Sequence, residues 1–173
     1  MAEGCPLPAL RLRAMEPEDL DFLYTIENDV DIWDVGMTNV PYSRYALHNY
    51  MANVSNDIYA DRQVRLIVEN GKGILVGMVD LVNFDPRHQR AEIGIVIGKE
   101  HRKKGFATAA LGLLADYAAS VLHIHQLYVV VSIDNEPSLR LFEKLGYRNG
   151  TVLKDWLFDG KNYHDAVLMQ LFL

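Results

Sequence analysis

Four cations crowd into one short stretch of the chain. From Gly98 to Ala109 it reads Gly-Lys-Glu-His-Arg-Lys-Lys-Gly-Phe-Ala-Thr-Ala, so Lys99, Arg102, Lys103 and Lys104 stand against a single acid, Glu100. The stretch follows the apolar Ile95-Val96-Ile97 and precedes an Ala- and Leu-rich run. At such a strand–helix junction the first helical amides have no internal acceptor, and the helix dipole adds positive charge. Gly105 and Ala107 keep the backbone approachable, while Arg102 to Lys104 supply full charges. That combination suits a diphosphate; a solvated basic loop is the other reading of the same residues. The patterns of a nucleotide P-loop and of a dinucleotide-binding turn are both missing.

The opposite charge is concentrated elsewhere. Between Ala14 and Ser43 lie Glu16, Glu18, Asp19, Asp21, Glu27, Asp29, Asp31 and Asp34, with no Lys, Arg or His. The chain as a whole has 23 Asp and Glu against 17 Lys and Arg, a formal charge of −6, which argues against nucleic acid as a partner. An acidic segment and a basic loop ask for two partners of opposite charge. The apolar runs are too short to span a membrane, and no secretion-type leader is seen, so a cytoplasmic protein is expected. Cys5 is the single cysteine, which excludes an internal disulfide and a cysteine-based zinc site. His123 and His125 have no further ligand near them in sequence, and no metal is expected.

These residues need elements to hold them. Leu10 to Arg13 reads as a strand, Glu16-Pro17-Glu18-Asp19 as a helix start, and Ser43 as the cap of a second helix. Gln63 to Glu69 and Ile74 to Phe84 are strands joined by the turn Asn70-Gly71-Lys72-Gly73. Asp85-Pro86-Arg87 turns the chain into a strand from Arg90 to Ile97. After the basic loop come a helix over Phe106 to Ser120 and a strand over Leu127 to Ser132. Asp134-Asn135-Glu136-Pro137 opens a last helix, which Gly146 stops. Thr151 to Phe158 and Tyr163 to Leu171 form a final hairpin. The order β-α-α-β-β-β-α-β-α-β-β predicts an α/β (α+β) fold as one domain over residues 1–173. Its core is a mixed, mostly antiparallel, twisted sheet of about seven strands with helices on both faces.

Arg102-Lys103-Lys104-Gly105-Phe106-Ala107 resembles the Gln/Arg-x-x-Gly-x-Gly/Ala signature of the GNAT family of N-acetyltransferases. The strand Tyr128 to Ser132, then Asn135, and the helix ending Glu143-Lys144-Leu145-Gly146-Tyr147 resemble the family's second cofactor segment. The likeness spans nearly the whole chain and is strongest from about Gly77 to Tyr147. It implies acetyl transfer from acetyl-CoA to an amine by direct attack. It implies that the backbone of Ile95 and Ile97, with Val96 between them, lays out the pantetheine arm as an added strand. It implies that the amides from Arg102 through Lys103, Lys104, Gly105, Phe106 and Ala107 to Thr108 hold the pyrophosphate. Asn135, Ser138 and Lys144 complete the expected cofactor set.

Many members of the family use a Tyr on the last helix to protonate the leaving thiolate, and here that position is Phe142. A water or another hydroxyl (Ser138, Tyr128 or Tyr147) replaces it, or the thiolate leaves unassisted. Glu92, a carboxylate in an otherwise apolar strand, is the candidate base, with an ion pair to Arg90 or His88 as the alternative. Asp80 on a neighbouring strand, with Glu92, Trp33 and Asp34, is expected to line the acceptor site; Trp156 is core or wall. Gly77 to Gly94 and the tail Phe158 to Asp165 resemble the spermidine/spermine and ribosomal-protein N-terminal branches. A small cationic amine such as a polyamine is therefore the expected acceptor. The polyamine enzymes usually carry an acidic pair just before the Pro-Tyr that precedes the second helix, whereas Met37-Thr38-Asn39-Val40 holds none. A protein N-terminus, or CoA binding with little turnover because of Phe142, are the alternatives. A homodimer or larger homo-oligomer fits the apolar C-terminal hairpin.

Overall fold

A computed structural model describes residues 7–29, 40–55 and 57–173. Seven strands form one sheet: β1 (Leu10–Arg13), β2 (Val64–Asn70), β3 (Leu75–Asp85), β4 (Arg90–Ile97), β5 (Gln126–Ser132), β6 (Arg148–Phe158) and β7 (Tyr163–Phe172). The spatial order is β1-β2-β3-β4-β5-β7-β6. Every neighbouring pair is antiparallel except β4 and β5, which run parallel. The helices are α1 (Leu20–Glu27), α2 (Arg44–Asn53), α3 (Ile58–Asp61), α4 (Phe106–Ser120) and α5 (Glu136–Lys144). No described helix is long and apolar enough to cross a membrane.

The helices cover both faces, and the alternation of each strand decides what meets them. Leu111 and Leu114 of α4 and Phe142 of α5 bury against Ala91, Ile93, Leu127, Val129 and Val131. On the opposite face Leu23 and Ile26 of α1 and Leu47 of α2 bury against Ile67 and Met78, with Val96 beside them. Local chemistry agrees at the ends. The Ser43 hydroxyl accepts from the Ala46 N–H and caps α2. Asn70 Oδ1 accepts from the Lys72 and Ile74 amides and closes the β2–β3 turn.

Two elements differ from the sequence expectation. β6 begins at Arg148, ahead of the expected Thr151, because Arg148 and Asn149 pair with Gln170 and Met169 of β7. Arg148-Asn149-Gly150 has turn composition, and the sheet overrides it. The short helix α3 was not expected; Asp57 caps it by accepting from the Tyr59 amide. The charge pattern is rearranged as well. Of the six described acids in the N-terminal acidic segment, four pair internally: Asp19 with Arg13, Asp21 with Arg44, Glu27 with Arg65 and Asp29 with Lys99. The last of these ties the acidic segment to the basic loop.

Candidate active site

The only parallel pair among the described strands is three rungs long. Arg90, Ala91 and Glu92 of β4 match Gln126, Leu127 and Tyr128 of β5. Beyond Glu92 and Tyr128 the strands part, although β4 continues to Ile97 and β5 to Ser132. The phase of the β3–β4 ladder fixes what faces the gap. The Gly98 N–H donates to the Val76 C=O, so the even-numbered residues of β4 exchange bonds with β3. Ile95 and Ile97 therefore turn their amides and carbonyls toward the gap, with no strand beside them. An extended chain that carries its own amides can add there as a strand.

The basic loop closes the wide end of this gap. Lys103 (φ 60°) and Gly105 (φ 82°) both adopt the left-handed conformation and wrap the chain into α4. The first intrahelical bond runs from the Ala109 N–H to the Gly105 C=O, so the amides of Phe106, Ala107 and Thr108 lie ahead of the ladder. Three cations of the loop, the expected phosphate ligands Arg102 and Lys104 together with Lys99, have further contacts. Arg102 Nε donates to the Ile97 C=O at 3.0 Å, at the mouth of the gap. Lys104 Nζ donates to the Glu100 C=O at 2.7 Å, and Lys99 pairs with Asp29. The gap and the helix start together offer what an arm ending in a diphosphate needs: a strand edge and an anion seat.

The expected residues on β5 and α5 take varied places. The Asn135 side chain caps α5 by accepting from the Ser138 N–H at 3.2 Å, which leaves its Nδ2 as a donor. Lys144 is exposed in the last turn of α5, where a cation meets the helix dipole favourably. Phe142 is buried at 3 % exposure, its ring edge-on to Tyr147 at 5.1 Å. Tyr147 is buried too, and desolvation raises its phenol well above the ordinary range.

The carboxylates gather on the α1–α2 face. Asp80 is the cross-strand partner of Gly94, and Glu92 that of Val82. The absent side chain at Gly94 leaves space beside Asp80, whose Oδ2 is 3.5 Å from where a Cβ would stand. Asp80 is gripped by Arg65 through Nε at 2.8 Å and Nη2 at 3.1 Å, and Arg65 Nη1 meets Glu27 at 2.6 Å. Tyr50 of α2 lies over the same guanidinium at 5.7 Å. Glu92 belongs to no ion pair among the described residues; Arg90 pairs with Asp85 instead. Asn83 Nδ2 donates to Glu92 Oε2 at 2.8 Å. Tyr128 lies opposite Glu92 on the same face, and burial followed by the Glu92 charge raises its phenol. Asn83, Arg65 and the Tyr128 rung did not emerge from sequence reasoning as parts of one site. Trp33 and Asp34 lie outside the described residues, and Trp156 is exposed on β6. No metal-binding group of His, Cys, Asp or Glu occurs among the described residues.

Comparison with known proteins identifies the family and the fold. Residues 9–148 match the domain family described as acetyltransferase (GNAT) domain. The spermidine N(1)-acetyltransferase of Vibrio cholerae is 29 % identical over 163 residues, 94 % of this chain and 92 % of the relative. The crystal structure of the V. cholerae spermidine N-acetyltransferase in complex with CoA and spermine superposes with a TM-score of 0.84 at 29 % identity. It covers 94 % of this chain and 95 % of that one. A dodecameric structure of the V. cholerae enzyme in an intermediate state superposes at 0.80 and 29 % identity, over 94 % and 93 % of the two chains.

Proposed function

The chain belongs to the GNAT acetyltransferase family and is an acetyl-CoA-dependent N-acetyltransferase, and from that premise we propose that it acetylates a polyamine. The observation that carries the choice of acceptor is the likeness over nearly the full length of both chains to spermidine N-acetyltransferases, one of them solved with spermine. The acidic groups at the site support it. Glu92 and Asp80 lie on one face of β4 and β3, beside the opening left by Gly94. A polycation gains there by charge complementarity.

In this reading Ile95 and Ile97 hold the pantetheine arm through their backbone, and the amides from Arg102 to Thr108, with Lys103, hold the pyrophosphate. Glu92 takes a proton from the acceptor ammonium so that its nitrogen can attack. Asn83 holds Glu92 in place through its Oε2. The Arg65 clamp limits Asp80 to orienting the cation, because both its oxygens are already engaged. Release of free thiol from acetyl-CoA tests the proposal, with spermidine, spermine, amino acids and N-terminal peptides as acceptors. Turnover with the polyamines at the highest kcat/KM is expected. A preference for peptides would assign the chain to protein N-termini.

We further propose that the chain assembles with copies of itself. Support comes from the edge strand β6, which exposes Trp156 and Phe158 next to Tyr163 of β7, and from the dodecameric relative. Light scattering at several concentrations tests this, and a monomer throughout would refute it.

A further inference from the structure

We propose that Tyr128 is the proton donor to the departing thiolate and that it works with Glu92 as a pair reset in every turnover. The inference rests on the acetyl-transfer reading above. Phe142 stands where a phenol would be expected, but it has no proton to give and is packed into the core against Tyr147. Tyr147 belongs to the same core. The Tyr128 hydroxyl is placed differently. Tyr128 is half-buried and directly opposite Glu92 at the last rung before β4 and β5 part, and cross-strand partners project to the same face.

The length of β4 brings this rung to the reacting end. Ile97 adjoins the basic loop, and Glu92 lies five residues back along the strand. At about 3.3 Å per residue this is about 16 Å, comparable to an extended pantetheine arm. An arm seated by its diphosphate at the helix start and laid along β4 therefore ends near Glu92 and Tyr128. Burial and the Glu92 carboxylate, with a smaller contribution from Asp85 against the opposing Arg90, keep the phenol protonated at neutral pH.

The protons balance. Glu92 takes one proton from the ammonium. The nitrogen bonds to the acyl carbon while the carbon–sulfur bond breaks, and the electron pair stays on sulfur. Tyr128 gives its proton to that sulfur. Glu92 then returns the proton it took to the Tyr128 oxygen. The second ammonium proton leaves to water, so one proton is released per acetyl group moved, and both residues end as they began.

Tyr128→Phe keeps the ring and removes the hydroxyl. A fall in kcat of about 100-fold is expected, with calorimetric acetyl-CoA affinity within about threefold of wild type. A readout independent of turnover is the ultraviolet titration of the phenol, taken as wild type minus Tyr128→Phe. Glu92→Gln should move that titration to lower pH, since it removes the charge opposing phenolate. A kcat within about twofold of wild type, or an unmoved phenol titration, would overturn the pair. A variant that shifts only the acidic limb of kcat/KM and keeps the plateau kcat would make Tyr128 a positioning residue, which also overturns the donor role. If the wild-type chain releases no thiol with any amine, the acetyl-transfer reading itself fails and takes this inference with it.

Discussion

Arg65→Met would leave Asp80 without its cation. Arg65 donates three charge-assisted bonds, at 2.8 and 3.1 Å to Asp80 and at 2.6 Å to Glu27, and the three side chains are only 15–21 % exposed. Breaking a buried pair by removing one partner costs about 3–5 kcal/mol, mostly because the other charge is stranded. Partial exposure lets water recover some of that, so the lower end, about 3 kcal/mol, is expected. For a domain of this size it corresponds to a melting point lowered by about 6–12 °C. Met keeps the length of the aliphatic stem, so the loss reports the charge rather than a cavity. Urea unfolding followed by circular dichroism measures it, at one fixed protein concentration because any assembly would add to stability. Asp80→Asn alone should cost less, about 1–2 kcal/mol, since Arg65 retains Glu27. The double variant should fall short of additivity by at least about 1 kcal/mol. A single-variant loss below about 1 kcal/mol, or additivity within about 0.5 kcal/mol, would refute the clamp.

Glu92→Gln should lower kcat for acetyl transfer by about 100-fold at neutral pH and leave acetyl-CoA affinity unchanged, measured by thiol release and calorimetry. Gly105→Ala should destabilise by about 1–2 kcal/mol, because φ is 82° and the new Cβ would meet Pro8 Cδ at 3.3 Å. The same change should weaken acetyl-CoA binding, since it disturbs the start of α4. His164 lies between Asp159 at 2.8 Å and Asp134 at 3.2 Å, and the bond to Asp159 is the first cause of its raised pKa. A raised folded pKa gives stability that is complete below 6.5 and lost as pH rises through the folded value. Asp159 is held down at about 2, so its own contribution persists until strongly acid pH. The melting advantage of wild type over His164→Gln should thus be largest between about pH 4 and 6 and shrink toward alkaline pH; a constant difference would refute the contact.

The parts of the site that depend on nearby residues could be read from the sequence. Ser43 capping α2, the Asn70–Gly73 turn and the Gly105 entry to α4 are each encoded within a few positions. The parts that depend on register could not. Asp80 reads as an acceptor-site acid with no sign of its partner, because Arg65 sits on another strand and a bulge between Val68 and Glu69 helps to set their alignment. Tyr128 meets Glu92 only because the crossover through α4 returns β5 in that phase. Net charge misleads in the same way: the acidic segment looks open to a cationic partner, yet Arg13, Arg44, Arg65 and Lys99 already hold four of its acids.

The short parallel pairing has a mechanical side. Among the described residues, three rungs between β4 and β5 are the only ladder joining the β1–β4 half of the sheet to the β5–β7–β6 half. Elsewhere the adjoining pairs are longer, such as β5 with β7 over seven positions. Such a seam is where a sheet opens first, so the Ile95 and Ile97 amides should exchange with solvent hydrogen faster than the amides bonded to β3. A ligand that fills the seam as a strand would stitch the halves into one cooperative unit. At 100 times its dissociation constant it would add about 2.7 kcal/mol of stability. The substrate would then be a structural member of the sheet during each catalytic cycle, and each departure of product would leave the two halves joined by three rungs and by the core they share under α4 and α5.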